Sequence, residues 1–303
     1  MNNDLNTILN LDHFIFYNWF PAIADHCIDE SEDFYRSAGV SRLHDFDPHT
    51  IYPSLVKERD IIFCKTDYIF NGFFQKDVLP HINNPFILIS GISSFHIGSN
   101  GDKSYLDIVK NPNLIKWFCT NPPDDETNKI IPLPIGFEEK ERDGGNQSLL
   151  FNCHENCKEF KEKKPKVLLP FHNIETNSER EKQVEELKQL PFVFHQEEKL
   201  SFKEYMDLVN HYKFVICLEG SGPDVHRNYE ALLVNTVPIN KKNITERLFQ
   251  TYALPGEFLD SWDNLNTDFF DKLMRTSYDM DSVKQFLAVR FHVDRIAKQK
   301  III

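Results

Sequence analysis

The sequence predicts an α/β protein with two doubly wound, Rossmann-like domains that face a cleft. The chain has 303 residues, which is enough for two domains that each bury a core. In both halves, short apolar runs alternate with amphipathic helical patterns, as in parallel sheets with crossover helices. A charged stretch over residues 143–166 interrupts this alternation. We therefore predict an N-terminal domain over residues 1–155, a C-terminal domain over 156–280, and a C-terminal helix over 281–303 that packs back on the first domain.

The elements of the first half follow an aromatic-rich, irregular stretch of about 60 residues. The segments "DIIFCKTDYI" and "PFILIS" predict strands, and "NGFFQKDVLPHI" between them predicts a helix. Next, "SYLDIVKN" predicts a short helix, and "LIKWFCTN" and "KIIPLPIGF" are apolar runs bounded by turn residues.

The second half alternates more regularly. Strands are predicted in "KVLLPF", "PFVFHQ", "KFVICLEG" and "TVPIN", and helices in "NSEREKQVEELKQL", "SFKEYMDLVNHY" and residues 225–234. The first two helices each begin with the spacing of a capping box, Ser178 to Glu181 and Ser201 to Glu204. The final "DSVKQFLAVRFHVDRIAKQK" predicts one long amphipathic helix.

The composition of the chain disfavours several classes of function. The formal net charge of −12 disfavours a general binder of nucleic acid or anionic membrane. The first twenty residues lack the pattern of a signal peptide, and no run of 18 apolar residues predicts a membrane span. The six cysteines lack a disulfide framework and predict reduced thiols in a cytoplasmic protein. The "CHENC" segment at 153–157 offers metal ligands, but no second ligand pair lies near it, so we interpret it as a charged loop.

The segment "EGSGPDVHRNYEALLVNTVPI" at 219–239 places polar residues at the mouth of an apolar strand–turn–helix unit. Gly220 and Gly222 permit a tight turn and a close approach of ligand to the backbone. Asp224 is the predicted N-cap, so the amide N–H groups from Ser221 to His226 would form an anion site.

Two side chains on the next helix complete this predicted site. Arg227 lies in the first turn and can clamp a phosphate through two N–H groups. Glu230 shares its face of the helix and can accept hydrogen bonds from a ribose diol. Glu219 and His226 crowd the same strand end. The alternative is that Arg227 and Glu230 form only an exposed ion pair on the helix.

Three residues that follow the first strand of the same domain are further candidates. His172 and Asn173 would touch the base or the sugar, and Arg180 would add a second cation. The alternative for His172 is a loop histidine whose hydrogen bonds are satisfied locally, and the alternative for Arg180 is a solvated helix residue.

The segment "YKFVICLEGSGPDVHRNYEALLVNTVPI" resembles the donor-site segment of exostosin-like glycosyltransferases. The shared pattern is an acid, a glycine-rich loop, Asp-x-His-Arg, a Glu four residues after the His, and a terminal Pro-Ile. Asn235 stands where that family has Gly. "LIKWFCTN" followed by "IIPLPIGFEE" is similar to a second family segment. The resemblance spans residues 85–300 and implies a two-domain GT-B fold, a nucleotide-sugar donor held by the C-terminal domain, and no essential metal. On this interpretation residues 1–155 are the acceptor-side domain and 156–280 the donor domain. We expect no cofactor besides the donor substrate.

We therefore predict an inverting glycosyltransferase that moves a sugar from a nucleoside-diphosphate sugar, a uridine one, to a glycan or other hydroxyl acceptor. Arg227 would stabilise the leaving diphosphate. The general base would come from the N-terminal domain, where Asp67 and His96 follow strands. The resembled family often has an Asp in the second of these loops, whereas this chain has Ser93, Ser94 and His96.

Two other classes stay open. One is a binding protein that kept the nucleotide cleft and lost the base. The other is a phosphoryl-transfer enzyme, which is disfavoured because the sequence has no G-x-x-x-x-G-K-[ST] motif and no evident Asp pair for magnesium.

Overall fold

A computed structural model describes residues 10–17, 19–29, 53–123 and 128–301. The chain forms two compact units, one from Met1–Ile135 with Ala288–Ile303 and the other from Gly136–Leu287. The sequence-based division placed its boundaries at 155/156 and 280/281. The helix α3, Gln147–Glu155, belongs to the second unit because it packs on two helices there, and the His154 imidazole bonds the Leu233 carbonyl at 3.0 Å.

The first unit is built on a five-stranded parallel sheet whose strands lie in chain order. The strands are β1 His26–Ile28, β2 Asp60–Lys65, β3 Phe86–Gly91, β4 Leu114–Cys119 and β5 Ile130–Pro132. Apolar side chains fill the middle strands, and all six residues of β3 are buried. The order does not reverse among the described strands, so the doubly wound topology predicted for this half is not seen in them.

Short helices connect these strands. They are α1 Thr66–Phe70, a π-helical turn Phe74–Val78 with a 3-10 turn Leu79–His81, and α2 Tyr105–Lys110. The predicted strand "DIIFCKTDYI" ends at Lys65, and its last four residues begin α1. The predicted helix "NGFFQKDVLPHI" is split into two short turns, since Pro80 supplies no backbone N–H to continue a helix.

The C-terminal segment is two helices rather than the one that was predicted, α9 Val283–Leu287 in the second unit and α10 Val289–Ala297 in the first. Ala288 between them is extended, with φ −82° and ψ 136°, and it forms an antiparallel bridge with Phe14. The Val289 N–H donates to the His13 carbonyl at 2.9 Å. Pairing with the N-terminal segment thus replaces one turn of helix.

The second unit contains a parallel sheet in the order β10-β9-β8-β6-β7. Its strands are β6 Lys164–Leu169, β7 Val193–His195, β8 Tyr212–Ile216, β9 Val237–Lys241 and β10 Glu257–Leu259. The chain moves outward from β6 to β7 and then returns to place β8 on the other side of β6. This reversal is the topological switch point of a doubly wound sheet, where ligands bind outside the carboxyl ends of the strands.

The helices of this unit confirm the predicted alternation. Besides α3 and α9 they are α4 Glu179–Leu187, α5 Phe202–Val209, α6 His226–Leu233, α7 Thr245–Tyr252 and α8 Thr267–Arg275. The capping box from Ser201 to Glu204 is present at the start of α5. The one predicted from Ser178 to Glu181 is wrong: Ser178 is helical and makes no cap bond, because the side chain of Asn177 already accepts the Glu179 N–H at 3.0 Å.

The structure bears on two expectations for the whole chain, one about its cysteines and one about membrane-spanning helices. All six cysteines lie in the described part of the chain, and none of them is in a disulfide there. No helix within the described ranges is long and apolar enough to cross a membrane.

Candidate functional site

The candidate site lies at the switch point, where the segments that follow β6 and β8 are neighbours. β6 pairs with β8 in parallel, so both strands end at one edge of the sheet. His172 and Arg180 come from the segment after β6, and Glu219 and Arg227 from the segment after β8. The structure brings the predicted residues of this unit together because they flank the same pair of strands.

The Arg227 guanidinium is held by three partners. Its Nε donates to the Tyr205 hydroxyl at 3.2 Å, Nη1 donates to the His172 Nε2, and Nη2 donates to the Phe171 carbonyl at 3.1 Å. The guanidinium also lies over the Tyr205 ring, 5.6 Å from its centroid. An arginine has five N–H groups. These bonds therefore fix the plane of Arg227 and leave two N–H groups for a ligand.

The neutral His172 ring forms a hydrogen-bonded bridge between the backbone and Arg227. It is buried, and its Nδ1 lies 2.6 Å from the Pro170 carbonyl. Burial, followed by the charges of Arg227 and Arg180, holds the pKa of His172 well below its usual value. The ring is therefore neutral at neutral pH, with the proton on Nδ1 and the Nε2 lone pair facing Arg227. His172 is thus a loop histidine whose two ring nitrogens both have partners, as in the alternative interpretation, and one of those partners is Arg227.

Arg180 is buried at the same edge and bonds backbone carbonyls. Nε donates to the Glu219 carbonyl at 2.8 Å, Nη1 to the Asn173 carbonyl at 3.0 Å, and Nη2 to the Leu218 carbonyl at 3.2 Å. Burial, followed by the charge of Arg227, lowers the pKa of Arg180 to about 10, so it remains a cation at neutral pH. Arg180 is thus not a solvated helix residue, since it ties the loop after β6 to the end of β8.

The positive charge of these two arginines is not neutralised by direct ion pairs. Among the described residues, no carboxylate lies within ion-pairing distance of Arg180 or Arg227. The two guanidiniums are close enough that Arg227 disfavours the charged form of Arg180. Holding two buried like charges together is costly unless an anion offsets them. This edge of the sheet is therefore suited to bind an anion.

Glu230 is linked to Arg227 through a phenol. The Tyr205 hydroxyl donates to Glu230 Oε2 at 2.9 Å and accepts from Arg227 Nε. The exposed Arg227–Glu230 ion pair of the alternative interpretation is absent from the described residues. Burial raises the pKa of Glu230, against the opposing effects of Arg227, His226 and Tyr205. Among the described residues, no side chain or backbone group donates a hydrogen bond to Glu230 Oε1, so that oxygen is available to a ligand hydroxyl.

The start of α6 differs from the prediction at Asp224. The N-cap is Val225, which provides no side-chain cap. The Asp224 carboxylate instead accepts from Asn228 Nδ2 at 3.2 Å and from the Tyr229 hydroxyl. Both donors are buried side chains of α6.

The glycine-rich loop is shaped by an amide that the sequence did not single out. Asn243 donates to Glu219 Oε1 at 2.7 Å and to the Pro223 carbonyl at 3.1 Å, so it fastens both ends of the loop. Within it, the Gly220 N–H bonds the Gly222 carbonyl at 3.3 Å, and Ser221 is exposed.

The other residues predicted in this unit lie around the loop. A Cβ atom added at Gly220 would lie 3.4 Å from Arg180 Nη2, at ordinary van der Waals distance. His226 Nδ1 bonds the Gly136 carbonyl at 2.7 Å. Asn173 is exposed and accepts the Glu175 N–H at 3.0 Å, which forms a turn.

Asp67 and His96 belong to the first unit and are not part of this cluster. Asp67 lies in α1 directly after β2, and its buried Oδ2 has no hydrogen-bond partner among the described residues. His96 lies in the loop after β3 and is partly buried. Their role as a general base stays a prediction.

Sequence reasoning missed Tyr205, Asn243 and Phe171. Phe171 is 36% exposed beside Arg227, which its carbonyl contacts. Its position at the end of a predicted strand, next to His172, was the available signal. Tyr205 and Asn243 lie on other elements, so only the fold brings them to the site. The described residues contain no group of three His, Cys, Asp or Glu side chains that could hold a metal ion.

The fold and site together define an α/β protein with a cationic site at the switch point of a parallel sheet. Comparison with protein-family models and with curated proteins found no match. Among solved structures, the chain is similar to one described as "Crystal structure of GtfA/B complex", at 10% identity and a TM-score of 0.36. The match covers 80% of this chain and 56% of that one, so this chain spans little more than half of the neighbour's length.

Proposed function

We propose that this protein is a glycosyltransferase that binds a nucleoside-diphosphate sugar at the switch point of the second unit and transfers the sugar to a hydroxyl acceptor. The observation that carries the proposal is the pair of guanidiniums, Arg180 and Arg227, with no carboxylate paired to either. A diphosphate would supply the missing negative charge, and the N–H groups left on Arg227 suit its oxygens.

In the proposed reaction, the positive charges of Arg180 and Arg227 act on the bond between the sugar and the diphosphate, which breaks. The acceptor oxygen forms a bond to the anomeric carbon while the bond from that carbon to the diphosphate oxygen breaks. The electron pair of the broken bond stays on the diphosphate, so negative charge grows there in the transition state. Fixed cations that stabilise this growing charge lower the barrier more than they tighten ground-state binding. In the inverting reaction a general base takes the acceptor proton, and Asp67 and His96 remain the candidates.

The nucleoside would be bound by the residues around Arg227. Glu230 Oε1 would accept from a ribose hydroxyl, and the exposed Phe171 ring offers an apolar face to a base. We expect uridine. The resemblance to exostosin-like enzymes supports this assignment. This chain has Asn235 where that family has Gly, and the backbone conformation at this position suits either residue. Asn235 has φ 57°, a left-handed conformation that glycine and asparagine both tolerate.

Thermal unfolding with added nucleotides tests the binding step. A ligand at a hundred times its dissociation constant adds about 2.7 kcal/mol to the free energy of unfolding. We expect uridine diphosphate to raise the melting temperature and uridine, which lacks the diphosphate, to have a much smaller effect. Equal effects of the two would contradict an anion site at the arginines.

Sugar transfer should also survive chelation, because Arg180 and Arg227 take the charge-stabilising role that a metal has in other enzymes. Activity with and without excess EDTA measures this. Complete loss that manganese restores would refute metal-independent transfer while leaving nucleotide binding intact.

A second candidate function is a nucleotide-sugar or glycan-binding protein without turnover. It is favoured by the loop after β3, where Ser93 is buried and bonds the Phe95 N–H at 3.2 Å in place of a carboxylate. Release of uridine diphosphate from a uridine-diphosphate sugar, measured with acceptor glycans present, separates the two functions.

A further inference from the structure

A tyrosine of a neighbouring helix lies between two side chains of α6 that the proposed function assigns to the donor. Arg227 and Glu230 are three residues apart and share one face of α6. The hydroxyl of Tyr205, on α5, accepts from Arg227 Nε at 3.2 Å and donates to Glu230 Oε2 at 2.9 Å. One oxygen atom thus joins the cation of the site to its carboxylate.

The chemistry of a phenol sets the direction of both bonds. A guanidinium only donates hydrogen bonds and an ionised carboxylate only accepts them, whereas a hydroxyl does both. Because Arg227 donates to the Tyr205 oxygen, the single hydroxyl hydrogen is left for Glu230. Burial, followed by the charge of Glu230, raises the pKa of Tyr205 well above its usual value, so the phenol keeps this hydrogen at neutral pH.

The position of the hydroxyl is fixed by the ring that carries it. Tyr205 lies within α5, Phe202–Val209, and its ring centroid is 6.2 Å from that of Phe202. The Arg227 guanidinium covers the ring at 5.6 Å from the centroid. A phenylalanine would keep both of these ring contacts and would lose only the hydroxyl, so the two roles of Tyr205 can be separated.

The bond to Tyr205 restrains the whole carboxylate of Glu230. With Oε2 held at 2.9 Å from the hydroxyl, the carboxylate plane is restrained and Oε1 is left for a ligand. Glu230 is 8% exposed. A free glutamate side chain samples several rotamers, and its terminal torsion is broad. Without the phenol, Oε1 would therefore be spread over several positions.

We propose that Tyr205 is a positioning residue that makes the site select ligands with ribose hydroxyls. It holds Glu230 Oε1 toward the ribose hydroxyls while the remaining N–H groups of Arg227 face the diphosphate. This inference rests on the proposed function, since it takes a nucleoside diphosphate as the ligand. Tyr205 acts through Glu230 and makes no contact of its own with the nucleotide.

Calorimetric titration of the full chain with two probes tests the proposal. The probes are uridine diphosphate and 2′,3′-dideoxyuridine diphosphate, which lacks both ribose hydroxyls. We expect wild type to bind uridine diphosphate at least about tenfold more tightly, because a charged acceptor is lost with the second probe. In Tyr205→Phe this ratio should fall to about threefold or less. A role in stability alone would lower the melting temperature and leave the ratio unchanged.

Two further variants keep the interpretation specific. Tyr278→Phe removes another phenol of the second unit that donates to a carboxylate, Glu257 Oε1 at 2.7 Å, and should keep the wild-type ratio. The double variant Tyr205→Phe/Glu230→Gln removes both partners of the bond, so it leaves no carboxylate without its donor. It should show the same ratio as Glu230→Gln alone, because Tyr205 acts through Glu230.

The outcomes separate this inference from the proposed function. A wild-type ratio in Tyr205→Phe, or a double variant that differs from Glu230→Gln in its ratio, would overturn the role of Tyr205 and leave the nucleotide site standing. Equal binding of both probes by wild type would overturn the ribose contact and this inference, but not the anion site. Binding of neither probe would overturn the proposed function together with the inference.

Discussion

At the residue scale, the geometry of Arg227 depends on groups that are not themselves charged. The phenol of Tyr205, the neutral ring of His172 and the Phe171 carbonyl each take one N–H and hold the guanidinium in place. A carboxylate in any of these positions would have neutralised the cation. Neutral acceptors orient it and leave its charge for a ligand.

The first prediction concerns Arg227→Lys. Lysine keeps the charge but lacks the planar fork, so it cannot hold all three partners and also bind two phosphate oxygens. We expect turnover to fall on the order of a hundredfold and donor affinity to fall less, by analogy with loss of one oxyanion donor. Steady-state kinetics measure both. Arg142→Lys, at an exposed arginine of the same unit, is the control. Near-normal turnover of Arg227→Lys would exclude the catalytic role.

The second prediction concerns Glu230→Gln. Loss of a charged acceptor for a ribose hydroxyl should weaken uridine diphosphate binding by about 1.5–3 kcal/mol. Burial raises the pKa of Glu230, so its charge is disfavoured in the fold, and removing that charge should not lower the free energy of unfolding. Calorimetric titration and chemical denaturation measure the two effects. Glu185→Gln, at an exposed site, is the control. Unchanged affinity would remove Glu230 from the site.

At the element scale, α6 is defined by both of its ends. Its N-terminus follows the glycine-rich loop, and Asn235 just beyond its C-terminus reverses the chain toward β9 with φ 57°. The Asn235 amide also donates to Cys157 Sγ at 3.2 Å and to the Lys158 carbonyl at 3.3 Å. The left-handed residue therefore sets where β9 begins and ties α6 to the segment before β6.

The third prediction compares two substitutions at this position. Asn235→Gly and Asn235→Ala both lose the side-chain amide, but only alanine adds a Cβ penalty in the left-handed region, roughly 1–2 kcal/mol. We expect the glycine variant to be the more stable by about 1 kcal/mol in urea denaturation. Equal stability would show that the backbone relaxes out of this conformation in the alanine variant.

Local patterns predicted the elements well and the contacts between elements poorly. Strand–helix alternation in the second half follows from apolar runs between turn residues, and the Ser201 cap follows from adjacent residues. Asp224 shows the limit: its spacing suits an N-cap, but Tyr229 and Asn228 compete for the carboxylate from inside the fold. Tyr205 was missed for the same reason, since the pairing of α5 with α6 is a tertiary event that no local spacing encodes.

At the scale of the whole molecule, one buried lysine makes the free energy of unfolding depend on pH. Lys163 is 3% exposed at the start of β6, and its Nζ donates to the Asn210 carbonyl at 2.7 Å and to Asn210 Oδ1 at 3.0 Å. Burial lowers the pKa of Lys163 to about 7 from a usual value of 10.5. Folding therefore releases a proton from this group between those two pH values.

The fourth prediction follows from that proton. From pH 7 to 10.5 the unfolded chain holds a proton on Lys163 that the folded chain lacks, so the free energy of unfolding rises with pH. The full difference, 10.5 less 7, corresponds to at most about 5 kcal/mol. Urea denaturation across this range should show a shallower rise in Lys163→Met than in wild type. Lys166→Met, at an exposed neighbour, should keep the wild-type slope, and an unchanged slope in Lys163→Met would contradict the prediction.

The division of the chain also bears on the order of events during synthesis. The second unit is continuous from Gly136 to Leu287, whereas the first needs Ala288–Ile303 to be complete. Because domains fold as units while the ribosome extends the chain, the second unit can fold before the first unit, whose residues were translated earlier, is complete. Until Val289 and Arg290 emerge, the His13 and Leu11 carbonyls lack the backbone N–H groups that bond them in the folded protein. A chaperone that binds exposed aromatic segments would have its longest opportunity there.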